Sequence, residues 1–94
     1  MDEMLLSKVR LSVVAELLSA EWVPFKELCE AAGTTNGNLG SHLAKLLSSG
    51  YIEEEKRFVG RRPQSRYRIT KDGRSAILRH VEALQELVEA ADQG

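Results

Sequence analysis

The apolar residues of this chain change their spacing twice, and that double switch restricts the fold more than any other feature. Up to Gly50 they recur every three or four positions, as on helices. Between Tyr51 and Ile69 they alternate with polar residues, as on strands, and from Ile77 onward helical spacing returns. Leu6, Val9, Val13, Val14, Leu17 and Leu18 predict a first helix over about residues 7–19. Pro24 stands where a first helical turn tolerates it and opens a short helix, 25–32, with Phe25, Leu28 and Cys29 inward. Ala32-Gly33-Thr34-Thr35 reads as a stop, a tight turn and a new N-cap. A third helix, about 35–49, carries Leu39, Leu43, Leu46 and Leu47 on one side and ends at Gly50.

Residues 51–58 and 65–69 are rich in aromatic and β-branched side chains and predict two strands. Between them Val59-Gly60-Arg61-Arg62-Pro63-Gln64 predicts a turn with an arginine-rich tip. Tyr67 and Ile69 alternate with Arg66 and Arg68, so one face of the hairpin packs on the helices and the other is basic. Thr70 caps a long last helix, about 71–92. The expected fold is mainly α with a small β-hairpin, in one domain spanning residues 1–94.

Hydrophobic residues at 43% and charged residues at 29% fit an ordinary globular domain of 94 residues. Cys29 is the single cysteine, which excludes an intramolecular disulfide and suits a reducing compartment. The start lacks the order of a secretory signal, and no apolar run approaches the roughly 18–20 residues needed to cross a bilayer. A cytoplasmic location, away from membranes, is the expectation.

The net charge of −1 conceals strong polarity. Residues 56–79 carry nine basic side chains and one acid, Asp72, whereas 1–55 hold nine acids against four bases and 80–94 hold four acids and no Lys or Arg. Exposed charges act over about 8–10 Å at physiological salt, so this local excess, not the total, decides where a polyanion docks. No acid lies between Lys56 and Lys71, so the segment holds no neutralising partner of its own; Arg66 and Arg68, on one face of the return strand, either reach phosphates or pair with Glu53–Glu55.

Taken in order, Asn38-Leu39-Gly40-Ser41-His42-Leu43-Ala44-Lys45-Leu46, Gly50-Tyr51-Ile52, Phe58-Val59-Gly60-Arg61-Arg62-Pro63 and Tyr67-Arg68-Ile69-Thr70-Lys71-Asp72-Gly73-Arg74 resemble a winged helix–turn–helix DNA-binding domain of the broad MarR and ArsR type. The resemblance covers nearly the whole chain. It implies a three-helix core, a helix–turn–helix at about 25–49, a wing at about 51–69 and a dimerisation helix at about 71–92. It also implies a double-stranded DNA partner, read by the second helix of the motif in the major groove. With the apolar face removed, that helix offers Thr35, Asn36, Asn38, Ser41, His42 and Lys45; Asn pairs with adenine, and Ser or Thr bonds base edges or phosphate. Gly37 and Gly40 suit close approach to DNA or to the preceding helix. In the wing, Lys56, Arg57, Arg61, Arg62 and Gln64 are the DNA-facing set, with the arginines at the minor groove.

Ile77, Val81, Leu84, Val88 and Ala91 repeat at spacings of four and three, a coiled-coil-like seam on a helix too long for so small a core to cover. With Leu5 and Leu6, and with Met1 and Met4 nearby, this seam predicts a homodimer, and hence a roughly palindromic DNA site. One Cys and two separated His, His42 and His80, make no metal site, and no cofactor is implied. The run Glu53-Glu54-Glu55 alternates across a strand with no nucleophile or His beside it, so no enzyme is expected. The expected function is that of a homodimeric repressor. The alternatives are a winged-helix protein–protein module and a regulator gated by a small-molecule effector between the dimer helices.

Overall fold

A computed structural model describes residues 2–93; Met1, named above with the N-terminal apolar group, lies outside the described residues. A single 3-10 turn, Glu3–Leu5, precedes α1 (Lys8–Leu17). A two-residue strand β1 (Val23–Pro24) leads into α2 (Phe25–Ala32), followed by α3 (Asn36–Ser48), β2 (Ile52–Val59), β3 (Arg62–Ile69) and α4 (Lys71–Gln93). The three strands form one antiparallel sheet in the order β1-β3-β2.

The helix starts are set by side-chain caps. Ser7, Thr35 and Thr70 accept hydrogen bonds from the backbone N–H of Arg10, Asn38 and Gly73, at 3.3, 3.2 and 3.0 Å. Each satisfies a donor that the first helical turn leaves without a partner. Gly33 ends α2 at φ 63°, a left-handed conformation that glycine adopts without strain, and its N–H returns to the carbonyls of Cys29 and Glu30.

The core lies where α1, α2 and α3 meet. Leu5, Val13, Val14, Leu17, Leu28, Leu39, Leu43 and Leu46 are its fully buried large side chains, and Ile52, Tyr67, Ala76 and Ile77 close it from the sheet and from α4. Burying one such aliphatic side chain contributes about 1.5–3 kcal/mol, several times a surface ion pair, so this cluster dominates the stability.

Four expectations need correction. Pro24 is the N-cap of α2 and a sheet residue opposite Arg66, not a residue of the helix's first turn. The wing turn has two residues, Gly60 and Arg61, so Arg62, Pro63 and Gln64 belong to β3. Gly60 takes φ 64° and Arg61 keeps a negative φ, as a type II′ hairpin turn requires. Pro63 is tolerated because β1 pairs only with Arg66 and Tyr67, leaving the outer edge of β3 unpaired at Pro63. Leu5 and Ile77 are 1% and 3% exposed within the protomer, so neither is free to line an interface. Finally, a Cβ built on Gly37 or Gly40 meets nothing within 4 Å, so no neighbouring helix requires those glycines.

Candidate nucleic-acid interface

Two segments carry the predicted contacts, and they are joined directly. The end of α3 runs through Ser49 and Gly50 into β2, with Tyr51 N–H bonded to the Leu46 carbonyl at 3.1 Å. The root of the hairpin is therefore fixed to the end of α3.

Along α3, Leu39, Leu43 and Leu46 face the core, which turns Asn36, Asn38, Ser41 and Lys45 outward, all exposed. Thr35 is exposed as well, but its hydroxyl is occupied as the cap. The two asparagines are held. Asn38 Nδ2 donates to Thr34 Oγ1 at 2.6 Å, and Asn36 Oδ1 accepts from the Cys29 thiol at 3.2 Å. That thiol also lies 3.0 Å from the Thr34 carbonyl. Cys29, expected as a plain core residue, is half-buried and fastens the helix–turn–helix corner.

His42 sits apart from the exposed set. It is half-buried, and its Nδ1 accepts from Arg10 Nη1 at 3.0 Å, which places the ring proton on Nε2 because a guanidinium can only donate. Burial first, then the charges of Arg10 and Lys45, hold its pKa below the ordinary histidine value. Arg10 Nε also donates to the Met4 carbonyl at 2.7 Å. Tyr51 O–H donates to Asp2 Oδ2, and that bond, ahead of burial, raises the tyrosine pKa. The N-terminal arm is thus clipped onto α1, α3 and the start of β2.

The hairpin register sorts its charges. Glu53 stands opposite Arg68 and Glu55 opposite Arg66, and both pairs form salt bridges, at 2.9 and 2.6 Å. The guanidinium carbons of Arg66 and Arg68 also lie 4.6 and 4.7 Å from the ring centroid of Trp22. On the other face Tyr67 O–H donates to Glu54 Oε2 at 2.6 Å; burial and this bond raise the tyrosine pKa. Of the two fates open to Arg66 and Arg68, phosphate contact or pairing with Glu53–Glu55, the structure shows the pairing: β2 supplies acids to the inner half of β3. These are the only salt bridges among the described residues.

Lys56, Arg57, Arg61 and Arg62 remain, all exposed and free of ion pairs, at the outer end of the wing. Arg57 Nε donates to Gln64 Oε1 at 3.0 Å across the strands, which orients both side chains. The arrangement is a cationic tip carried on a root whose two arginines are both paired with carboxylates. Such a tip suits phosphate rails or a minor groove, where negative potential concentrates.

The sequence reading missed Arg10, Trp22 and Gly73. A Cβ at Gly73 would lie 2.1 Å from the Tyr51 carbonyl oxygen, so the backbone of the wing root rests directly on the first turn of α4. Its place in the resembling segment was a signal without a stated cause.

The winged helix DNA-binding domain family matches residues 9–88. The chain belongs to the winged helix DNA-binding domain family. An uncharacterised protein of Methanocaldococcus jannaschii is 33% identical over 81 residues, covering 86% of this chain and 88% of that one. Among solved structures, a transcriptional regulator homologue from Pyrococcus horikoshii OT3 superposes on this winged-helix domain with a TM-score of 0.87 at 27% identity, over 97% of this chain and 90% of that one. A MarR-family regulator from Enterococcus faecalis V583 gives 0.73 at 25% identity, over 96% and 80%. These winged-helix proteins share the hairpin wing and the long helix that follows it.

No helix of the described winged-helix domain is long and apolar enough to cross a membrane. Among the described residues no three His, Cys, Asp or Glu side chains gather as a metal site.

Proposed function

We propose that this winged-helix protein is a homodimeric, sequence-specific transcription regulator that acts as a repressor on double-stranded DNA. The observation that carries this reading is the sorting of charge in the wing. Arg66 and Arg68 are neutralised by Glu55 and Glu53, while Lys56, Arg57, Arg61 and Arg62 are left uncompensated at the tip. An uncompensated tip keeps its full attraction for phosphate, whereas paired guanidinium groups would first have to leave their carboxylates.

In this reading the exposed residues of α3, Asn36, Asn38, Ser41 and Lys45, meet base edges and phosphates in the major groove. The hydrogen bonds that hold the asparagines pre-organise them, reducing the side-chain entropy lost on binding. His42 acts behind this surface, setting α3 against α1 through Arg10.

Dimerisation is assigned to the outer part of α4. Val81, Leu84, Leu87 and Val88 are 39–62% exposed, and Leu78 at 55% widens the stripe. A two-fold pair of such helices would cover it and set two recognition helices about 34 Å apart, one turn of DNA. Occupancy of a site overlapping a promoter is sufficient for repression.

Selection of bound sites from random-sequence duplex DNA tests the reading, followed by salt titrations of the recovered site. Each phosphate contact contributes about 0.9 to the slope of log affinity against log salt. Arg61→Ala and Arg62→Ala should each lower the slope by up to that amount, and Arg68→Ala should leave it unchanged. Equal slopes for the wild type and both tip variants would remove the role assigned to the wing.

A further inference from the structure

The tip of the wing is not purely cationic. Phe58 is 74% exposed, and Val59 beside it is 50% exposed. Phe58 pairs with Pro63 across the hairpin. It lies four residues along β2 from Glu54, whose partner Tyr67 is the last core residue of the sheet on that face, which is about 13 Å of extended strand. No element of the protomer's body reaches that far, so its own core cannot cover the ring.

The local geometry presents Phe58 rather than tolerating it. A two-residue loop closes on the pair Val59 and Arg62, so the next rung, Phe58 and Pro63, exchanges no backbone hydrogen bonds and brings its side chains closest together. Proline loses nothing there and offers a rigid apolar wall to the ring. Alternation puts Lys56 and Phe58 on one face, Arg57, Val59 and Arg62 on the other, and Arg61 at the apex. Lys56 thus shares the face of the apolar pair, Arg61 stands at its apex, and Arg57 and Arg62 leave from the opposite face of the same tip, all four without acid partners.

An exposed aromatic ring on a hairpin tip that carries four unpaired cations has few suitable occupants. A second copy of this chain would bring the same four cations to an isologous contact, which repels. Duplex DNA supplies phosphates for the cations and, between them, the apolar faces of a base step. We propose that Phe58, backed by Pro63, is a wedge that enters the minor groove beside the wing arginines, partly unstacks a base step and bends the bound DNA. Apolar side chains inserted in this way kink a duplex by roughly 20–90° toward the major groove. The sequence preference so gained falls on flexible pyrimidine–purine steps that no side chain reads by hydrogen bonds.

This inference rests on the regulator reading above. Its test uses the full chain and a duplex carrying a site that the wild type enriched from random DNA, with the bend read by end-to-end energy transfer. Wild type should bend the site, Phe58→Ala should leave it straighter and bind roughly tenfold more weakly or worse, and Phe58→Leu should keep most of the bend. Because Phe58 is exposed, both variants should melt as the wild type does. DNA bound by the wild type without bending, or a bend and affinity that Phe58→Ala preserves, overturns the wedge alone. A Phe58→Ala variant that changes dimer mass instead of the bend overturns it too. A wild type that enriches no DNA overturns the regulator reading, and the wedge with it.

Discussion

Replacing Gly73 by alanine should damage this fold, although alanine is the better helix former. Gly73 is buried in the first turn of α4, and an added Cβ would sit 2.1 Å from the Tyr51 carbonyl oxygen, 2.9 Å from its carbonyl carbon and 3.1 Å from Ile69 Cγ1. The first two obstacles are backbone, so no rotamer change clears them; α4 and the wing root must separate by more than about 1 Å to restore ordinary contact. The same carbonyl accepts from Thr70 N–H at 3.0 Å, so separation strains the bond that starts α4. Overpacking of this kind costs about 1–3 kcal/mol, and the strained bond adds about 1 kcal/mol. Against this, alanine recovers at most about 1 kcal/mol of helix propensity. With that recovery in full the net loss is about 1–3 kcal/mol, or about 4–24 °C in melting temperature for a domain of this size. Urea unfolding followed by circular dichroism measures it. Gly40→Ala is the matched control, because nothing lies within 4 Å of its Cβ, and it should gain up to about 1 kcal/mol. If Gly73→Ala proved as stable as Gly40→Ala, the close approach described between α4 and Tyr51 would be wrong.

Two further outcomes are expected. His42 has its pKa held below 6.5 in the folded protein, so between that lowered value and 6.5 the unfolded chain binds more protons. The contribution of His42 is therefore complete above about pH 6.5 and is lost as pH falls through the folded value. The urea midpoint of the wild type should drop below pH 6.5 more steeply than that of His42→Gln; parallel curves would contradict the Arg10 contact. Leu84→Glu, in the exposed stripe of α4, should yield a monomer by light scattering with little change in the monomer's own core. A wild type already monomeric at micromolar concentration would count against the dimer.

How legible each element was follows from the range of the forces that shape it. Thr35, Gly33 and Thr70 act on residues three or four positions away, so their caps and stops could be read directly. Val23 and Pro24 form a strand only because Tyr67 and Arg66 lie beside them, and two residues are too few to show alternation. Leu5 sits on a single 3-10 turn, where no periodicity fixes which side chain points inward. The charge pattern of the wing depended on one detail, the length of its turn. A six-residue turn at 59–64 would have set Arg66 opposite Arg57, two like charges, and Arg68 opposite Glu55. The two-residue turn at Gly60 and Arg61 slides the strands by one repeat and sets Arg66 opposite Glu55. The candidate site and the grouping of its arginines into tip and return strand were thus visible in the sequence, while the register that pairs Arg66 with Glu55 and Arg68 with Glu53 was not.

The arm at the start of the chain bears on the order in which the protein assembles. Asp2 and Tyr51 are 49 residues apart and Arg10 and His42 are 32 apart, so both bonds close long loops. Loop closure grows costlier by about 0.6 kcal/mol with each doubling of length, and contacts of this separation form after local ones. Arg10 and His42 meet as α1 packs on α3, whereas the longer Asp2–Tyr51 loop is expected to close after the helices have met. The helix proposed to read DNA is thus held from behind by a segment far from it in the chain, which settles only after the helices have met.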